Sequence, residues 1–331
     1  MMRLISLLVS AVILGILYYR IDLFRLGSGR LQVDLFWLSV SILMFLPTTL
    51  LSAFRLKFIA PEKVGMRLGQ ALKLVLSASS MNAVLPSKMG DVVKGYFISE
   101  RGQVALSSAF SLVVYEKACD LLALLLWCVL GLLFYPGDDL ALLGIFAAAA
   151  GGLILGVLAL GSVRFTTFLF RIIALSAPGR LPRALREVGD SWQEMQSYVT
   201  SRKSMAAGTA LISVIIWLAH LIQIWMFILA LGGAVPFLNH LGLTPLALFA
   251  GLIPLTFAGM GTRDAALVYF YGSYMGPASA AALGILCTFR YVVPAVAGVP
   301  FLNSYLAGIG KGWSPSLFRG QAPRLSGKPG E

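Results

Sequence analysis

Residues 81–97 read MNAVLPSKMGDVVKGYF. Apolar runs lie on both sides of this stretch. Within it stand a proline, two lysines and an aspartate, with Gly90 directly before Asp91. A polypeptide that breaks its own helix and carries charge between apolar segments must satisfy the freed backbone groups inside protein or in a wet cavity. The fold therefore turns on what a broken, charged segment does in such surroundings.

The surroundings are those of a membrane protein. Of 331 residues, 58% are hydrophobic and 12% charged, and mean hydropathy is +0.86. Soluble domains carry about 25% charged residues. Apolar runs at 4–19, 33–54, 104–135, 140–162, 204–232 and 278–310 approach or exceed the roughly 20 residues that cross a bilayer. The first is read as a retained helix because no small-residue cleavage site follows Tyr18-Tyr19-Arg20. Four shorter pieces, about 71–85, 92–99, 245–258 and 265–275, flank Pro/Gly breaks in pairs and suit re-entrant hairpins. The formal net charge of +12 fits loops facing anionic lipid rather than nucleic acid. Cys119, Cys128 and Cys287 sit in apolar runs without metal-ligand spacing and read as buried packing.

Charge bias sets the orientation. Arg164, Arg171, Arg180, Arg183, Arg186, Arg202 and Lys203 crowd 163–203, and Lys311, Arg319, Arg324 and Lys328 follow the last apolar run. Both are read as cytoplasmic, as is 55–70 with Arg55, Lys57, Lys63 and Arg67. PGDD at 136–139 and the connection 233–244 contain no Lys or Arg and are read as outside. The segment 20–32, with Arg20, Arg25 and Arg30, is placed outside against its charge. With these assignments 71–100 starts and ends inside, whereas 245–275 starts and ends outside. Residues 1–135 and 140–310 then form two halves of opposed topology, each helix, helix, broken hairpin, helix. Their breaks, LPSKMGD at 85–91 and IPLTFAGMGTRD at 253–264, each hold Pro, Met-Gly and an acid. That is the pattern of an inverted-repeat transport fold. The expectation is an all-α polytopic protein with about six transmembrane helices and two re-entrant broken-helix hairpins. VRFTTFLFRIIALSA at 163–177 reads as an amphipathic surface helix and 183–199 as a second polar helix. The tail 311–331 reads as disordered and cytoplasmic.

Charge at membrane depth costs about 2.5–3.5 kcal/mol per central residue, so it marks cavities or pairs. One set is Lys88, Asp91 and Lys94, a candidate anionic-headgroup site in which Asp91 also suits a helix cap. A second is Glu116, Lys117 and Asp120, a structural or coupling cluster in which Glu116 and Asp120 share a face and Lys117 can pair with Asp120. A third is Arg263 and Asp264 beyond the second break, with Arg290 in the last helix. Either arginine suits a phosphate, and either can instead pair with Asp264. Asn82, His220 and Gln223 are further polar groups; Asn82 is assigned to a polar cavity, and His220 and Gln223 to interhelical hydrogen bonds. Pro86, Gly90, Pro254, Gly259 and Gly261 mark the hairpin breaks. The sequence contains no Walker loop, no H-E-x-x-H and no G-x-S-x-G, and its two histidines are widely separated. No catalysis, cofactor or metal is expected.

NAVLPSKMGDVVKGYFISERG, VVYEKACDLLALLL and AGMGTRDAALVYF resemble the transmembrane region of bacterial lysylphosphatidylglycerol synthases, a family that includes stand-alone flippase-like proteins. The resemblance spans about 30–310. It rests on Asn82, Leu85, Pro86, Gly90, Asp91 and Lys94; on Glu116 and Asp120, with Lys117 where arginine is usual; and on Gly259, Gly261, Arg263 and Asp264, with aspartate for glutamate. The resemblance implies a lipid flippase or scramblase of the bacterial inner membrane. Its cargo is then a phospholipid, glycolipid or polyprenyl lipid, its termini are cytoplasmic, and a separate lipid-modifying enzyme is its partner. A homodimer suits such folds, although no residue specifies one. The synthase domain is not expected here. Two other readings stay open: a secondary transporter of a small anion, and a non-transporting partner of a membrane glycosyltransferase.

Overall fold

The computed structural model describes residues 33–84, 90–103, 106–135, 140–176, 196–252 and 259–303, with positions 15, 189, 192 and 193. The expectations for 4–19, 20–32, PGDD at 136–139, most of 177–195 and the tail lie outside the described residues. So do Lys88 and Pro86 in 85–89, and Pro254 in 253–258.

The described residues form eleven α-helices: α1 Leu35–Leu43, α2 Phe45–Ile59, α3 Leu68–Val84, α4 Gly90–Gly102, α5 Leu106–Leu133, α6 Leu140–Gly161, α7 Val163–Ser176, α8 Lys203–Ala230, α9 Phe237–Ala250, α10 Thr262–Tyr271 and α11 Pro277–Gly298. The chain is an all-α polytopic membrane protein. Asp34 caps α1, its carboxylate accepting from the backbone N–H of Phe36 at 2.8 Å. Pro47 has no N–H to return to Leu43, which accounts for the interruption at Met44 between α1 and α2. The joined stretch Leu35–Ile59, with Leu140–Gly161, Lys203–Ala230 and Pro277–Phe301, is long and apolar enough to cross a membrane. Helix α5, 28 residues long, spans about 42 Å; its Glu116, Lys117 and Asp120 set it apart from these four.

Helix α6 is highly apolar yet only 6% of its most hydrophobic stretch is buried, so the rest of the chain leaves its outer face uncovered. The interior organises around α5, which packs on α4, α6, α8 and α9. At the α5–α9 crossing a Cβ on Gly131 would lie 2.0 Å from the backbone N of Gly242. Only glycine lets the two backbones approach this closely. Helix α11 packs on α3: the Ser80 hydroxyl donates to the carbonyl of Ala295, and a Cβ on Gly298 would meet the carbonyl oxygen of Leu76 at 2.0 Å. Pairing 295 with 80 and 298 with 76 makes these helices antiparallel.

The four short pieces read from sequence correspond to α3, α4, α9 and α10, packed as the pairs α3–α4 and α9–α10. Helix α9 starts eight residues before the expected 245. The stretch 233–244 is therefore not simply an outer connection: His240 and Thr244 are fully buried within α9. Pro236 fixes the approach to the helix, and the buried polar groups are satisfied by neighbours, which hides the helix from a hydropathy reading. Helix α7 is the expected amphipathic helix. It exposes Phe168, Leu169, Ile172 and Ile173, while the Thr166 hydroxyl contacts the side-chain oxygen of Gln196 at 2.8 Å.

Candidate functional site

Six charged side chains from three helices close into a ring of alternating sign. Arg55 on α2 reaches Glu116 at 2.7 Å and also pairs with Asp120, both on α5. Lys94 on α4 lies 3.2 Å from Glu116 and 2.8 Å from Asp91. Lys117 on α5 closes the circuit, 3.2 Å from Asp91 and 3.7 Å from Asp120. Helical spacing produces two of these six contacts, the i,i+3 pairs Asp91–Lys94 and Lys117–Asp120, and it places Glu116 and Asp120, four residues apart, on one face toward Arg55. Three cations balance three anions, which is how charge is tolerated away from water. Ser213 on α8 accepts from Arg55 at 2.7 Å, so the ring joins four helices.

The ring is not uniform. Arg55, Lys94 and Glu116 are almost wholly buried, whereas the Lys117 side chain is 42% exposed. Asp91 was expected to suit a helix cap; here it lies in the first turn of α4 with its carboxylate on the two lysines. The carboxamide of Asn82 accepts the backbone N–H of Gly90 at 2.8 Å instead. This bond ties the last turn of α3 to the start of α4. A Cβ on Gly90 would lie 2.2 Å from the carbonyl oxygen of Ala78, so glycine is required at this join.

The second cluster is built at the start of α10. Gly259 and Gly261 have φ of 75° and 106°, in the left-handed region that favours glycine. The Asp264 carboxylate accepts the Gly261 backbone N–H at 3.1 Å. The Arg263 Nε donates to the same carboxylate at 2.9 Å, and its Nη2 reaches Asp264, the carbonyl of Gly284 and the hydroxyl of Thr288. Gly284 is what admits Asp264 to α11, because a Cβ there would lie 2.8 Å from Asp264 Oδ1. Arg263 and Asp264 thus cancel one another and lock α10 to α11.

Arg290 has no such match. It is 5% exposed; its Nη2 donates to the Tyr291 hydroxyl at 2.7 Å, and its guanidinium lies 4.7 Å from the Tyr291 ring centre. Its Nε and Nη1 are buried without a hydrogen-bond partner, and no acid pairs with it among the described residues. Five residues before Ala295, about 7.5 Å along α11, it stands level with the end of α3. Thr288, which holds Arg263, is two residues away. Arg290 therefore lies on the stretch of α11 between its contacts with the second break and with α3.

Two sets of residues escaped the sequence reading. Arg55 was counted among cytoplasmic loop charges; it is inside α2, 3% exposed, and completes the ring. The signal was arithmetic: Glu116 and Asp120 share a face and Lys117 balances only one of them. The second set is His240, Thr244 and Tyr271, fully buried. The His240 Nδ1 lies 2.9 Å from both the Tyr271 hydroxyl and the Thr244 hydroxyl, and its Nε2 lies 2.8 Å from the carbonyl of Leu221. Gln223 behaves as expected, donating across to the carbonyl of Ser41 at 2.8 Å. The three cysteines are free and buried.

Paired short helices, interior ion networks and long apolar helices define a multi-pass membrane protein built around interior polar groups. Residues 3–298 match the sequence profile of the lysylphosphatidylglycerol synthase TM region, and the chain belongs to that family. It is similar to a UPF0104 membrane protein of Methanothermobacter thermautotrophicus, 24% identical over 324 residues, covering 88% of this chain and 95% of the relative. It is also similar to the UPF0104 membrane protein MJ1595 of Methanocaldococcus jannaschii, 23% identical over 241 residues, covering 68% and 71%.

Proposed function

We propose that this protein moves an anionic or modified phospholipid, or a lipid-linked headgroup, between the leaflets of a bacterial inner membrane. The observation that carries the reading is Arg290: a buried guanidinium with two unengaged nitrogens and no acidic partner among the described residues. A buried cation of this kind costs several kcal/mol unless an anion meets it. A phosphate diester supplies that anion with matching planar geometry. Membership of a family named for a lipid synthase supports a lipid as the source of the phosphate.

In this reading the pairs α3–α4 and α9–α10 are re-entrant hairpins of an inverted repeat, and both termini are cytoplasmic. The headgroup passes Arg290 while the acyl chains stay in the bilayer. Lys94, Asp91, Arg263 and Asp264 line its route, and the ring and the Arg263–Asp264 pair keep the walls rigid. No bond is made or broken in the lipid, and the drive is a lipid gradient, an ion gradient or membrane potential. A separately encoded enzyme supplies or consumes the lipid.

The test is headgroup crossing in proteoliposomes containing fluorescent phosphatidylglycerol, with external dithionite reporting the outer leaflet. Arg290→Gln should slow crossing at least about tenfold, the loss of one charge-assisted contact. Arg290→Lys should restore part of the rate. A wild-type rate with Arg290→Gln rejects the assignment. Competition by free phosphate would favour a small-anion transporter instead.

A further inference from the structure

Among the ring residues, Lys117 has the most exposed side chain, and its surroundings are not those of a solvated lysine. One turn before it on α5 stands Val114, 47% exposed, and one turn after it Leu121, 44% exposed. At 100° per residue, positions 114, 117 and 121 fall within one narrow strip of the helix. Neighbouring helices close that strip at both ends. Below the window, Phe110 meets Gly95 of α4, where a Cβ would lie 3.0 Å from the Phe110 ring. Above it, Leu125 faces Gly152 of α6, where a Cβ would lie 3.8 Å away. What remains open is about two turns of α5, roughly 10 Å long. An ammonium sits in its middle and apolar side chains stand above and below.

Lys117 completes the neutrality of the ring, yet each acid it touches also has a closer cation. Asp91 has Lys94 at 2.8 Å, and Asp120 has Arg55. The Lys117 contacts, 3.2 and 3.7 Å, include the longest in the ring. An ammonium has three donors, and the Lys117 side chain keeps 42% of its surface exposed while holding both acids. Depth agrees. Lys117 lies eleven residues into the 28-residue α5, about 16 Å along its axis, away from either helix end.

We infer that this window is a lateral docking site for an anionic phospholipid, with the phosphate on Lys117 and an acyl chain along Val114 and Leu121. The chemistry commits to a lipid rather than a free anion, because a soluble phosphate has no use for the exposed valine and leucine. The site is the doorway from the bilayer to the interior path proposed above, and rests on that reading. Docking also loosens the ring, since the phosphate competes with Asp91 and Asp120 for the same ammonium.

Native mass spectrometry of the full chain, titrated with dioleoylphosphatidylglycerol or dioleoylphosphatidylcholine, tests this. Wild-type protein should retain the anionic lipid preferentially. Lys117→Gln should cut its retention about tenfold, Lys117→Arg should restore it, and Leu121→Asn should weaken retention of both lipids. Each acid keeps another cation in Lys117→Gln, its fold is checked by circular dichroism and size exclusion before titration, and Lys117→Arg, which keeps the ring neutral, separates loss of the lipid contact from loss of the fold. Unchanged retention with Lys117→Gln or Leu121→Asn overturns the inference, as does displacement of the lipid by glycerol 1-phosphate. Arg290→Gln separates the two claims. If it reduces retention while Lys117→Gln does not, the doorway is wrong and the interior site stands. If neither does, both fall.

Discussion

Removing Arg55 leaves the ring with three acids and two cations. In Arg55→Met, Glu116 keeps Lys94 at 3.2 Å, and Asp120 keeps only the longer 3.7 Å contact with Lys117. The Ser213 hydroxyl loses a donor as well. Breaking a buried pair from one side costs about 3–5 kcal/mol, because the stranded charge is the expense. Asp120 is only partly shielded, so the lower half of that range applies. In unfolding temperature this corresponds to a drop on the order of 10 °C. The double variant Arg55→Met, Asp120→Leu restores neutrality and should recover more than half of the loss, a coupling of about 2 kcal/mol. Cys119, Cys128 and Cys287 are free and buried, so a thiol-reactive fluorophore reports unfolding in detergent without added labels. An unfolding midpoint for Arg55→Met within about 1 °C of wild type, or a double variant no better than the single, refutes the closed ring as a structural unit.

Two further outcomes follow from the packing. Gly131→Ala places a methyl 2.0 Å from the Gly242 backbone, and because backbone cannot rotate aside, destabilisation of about 3 kcal/mol is expected in the same thiol assay; a wild-type midpoint refutes the close crossing. His240→Leu removes the imidazole contacts to the carbonyl of Leu221 and to the Thr244 and Tyr271 hydroxyls, which keep each other at 2.6 Å, and should cost about 1–2 kcal/mol in the same assay; a wild-type midpoint refutes the shared network.

Much of the architecture was legible because hydrophobic length and helix breakers are local properties. The spans at 140–162 and 204–232 appear as α6 and α8 within a residue or two. The paired short pieces appear as α3, α4, α9 and α10, and the spacing of Lys117 with Asp120 gave their pairing. What stayed hidden depends on partners far away in the chain. Arg55 closes contacts across 61 and 65 positions, and it lies at the end of an apolar run where a loop charge is the ordinary reading. His240 reads as polar loop until Tyr271 and Leu221 stand beside it. The division of labour between Arg263 and Arg290 was equally invisible. The sequence allowed either to hold Asp264, and the glycine at 284 decides that Arg263 does.

The contact of Gly131 with Gly242 has a mechanical consequence. Helix α5 closes the first half of the chain and α9 lies in the second, and at this point their backbones meet directly. Such a crossing is a pivot: the backbones are held at one point, and a tilt about it must repack only the side chains flanking it, Leu132 and Leu246 among them. Glu116 lies fifteen residues along α5 from Gly131, a lever arm of about 22 Å, so a 10° tilt displaces it by roughly 4 Å. That exceeds the slack of any contact in the ring, so a modest swing about one glycine pair is enough to break an ionic lock well over ten ångströms away.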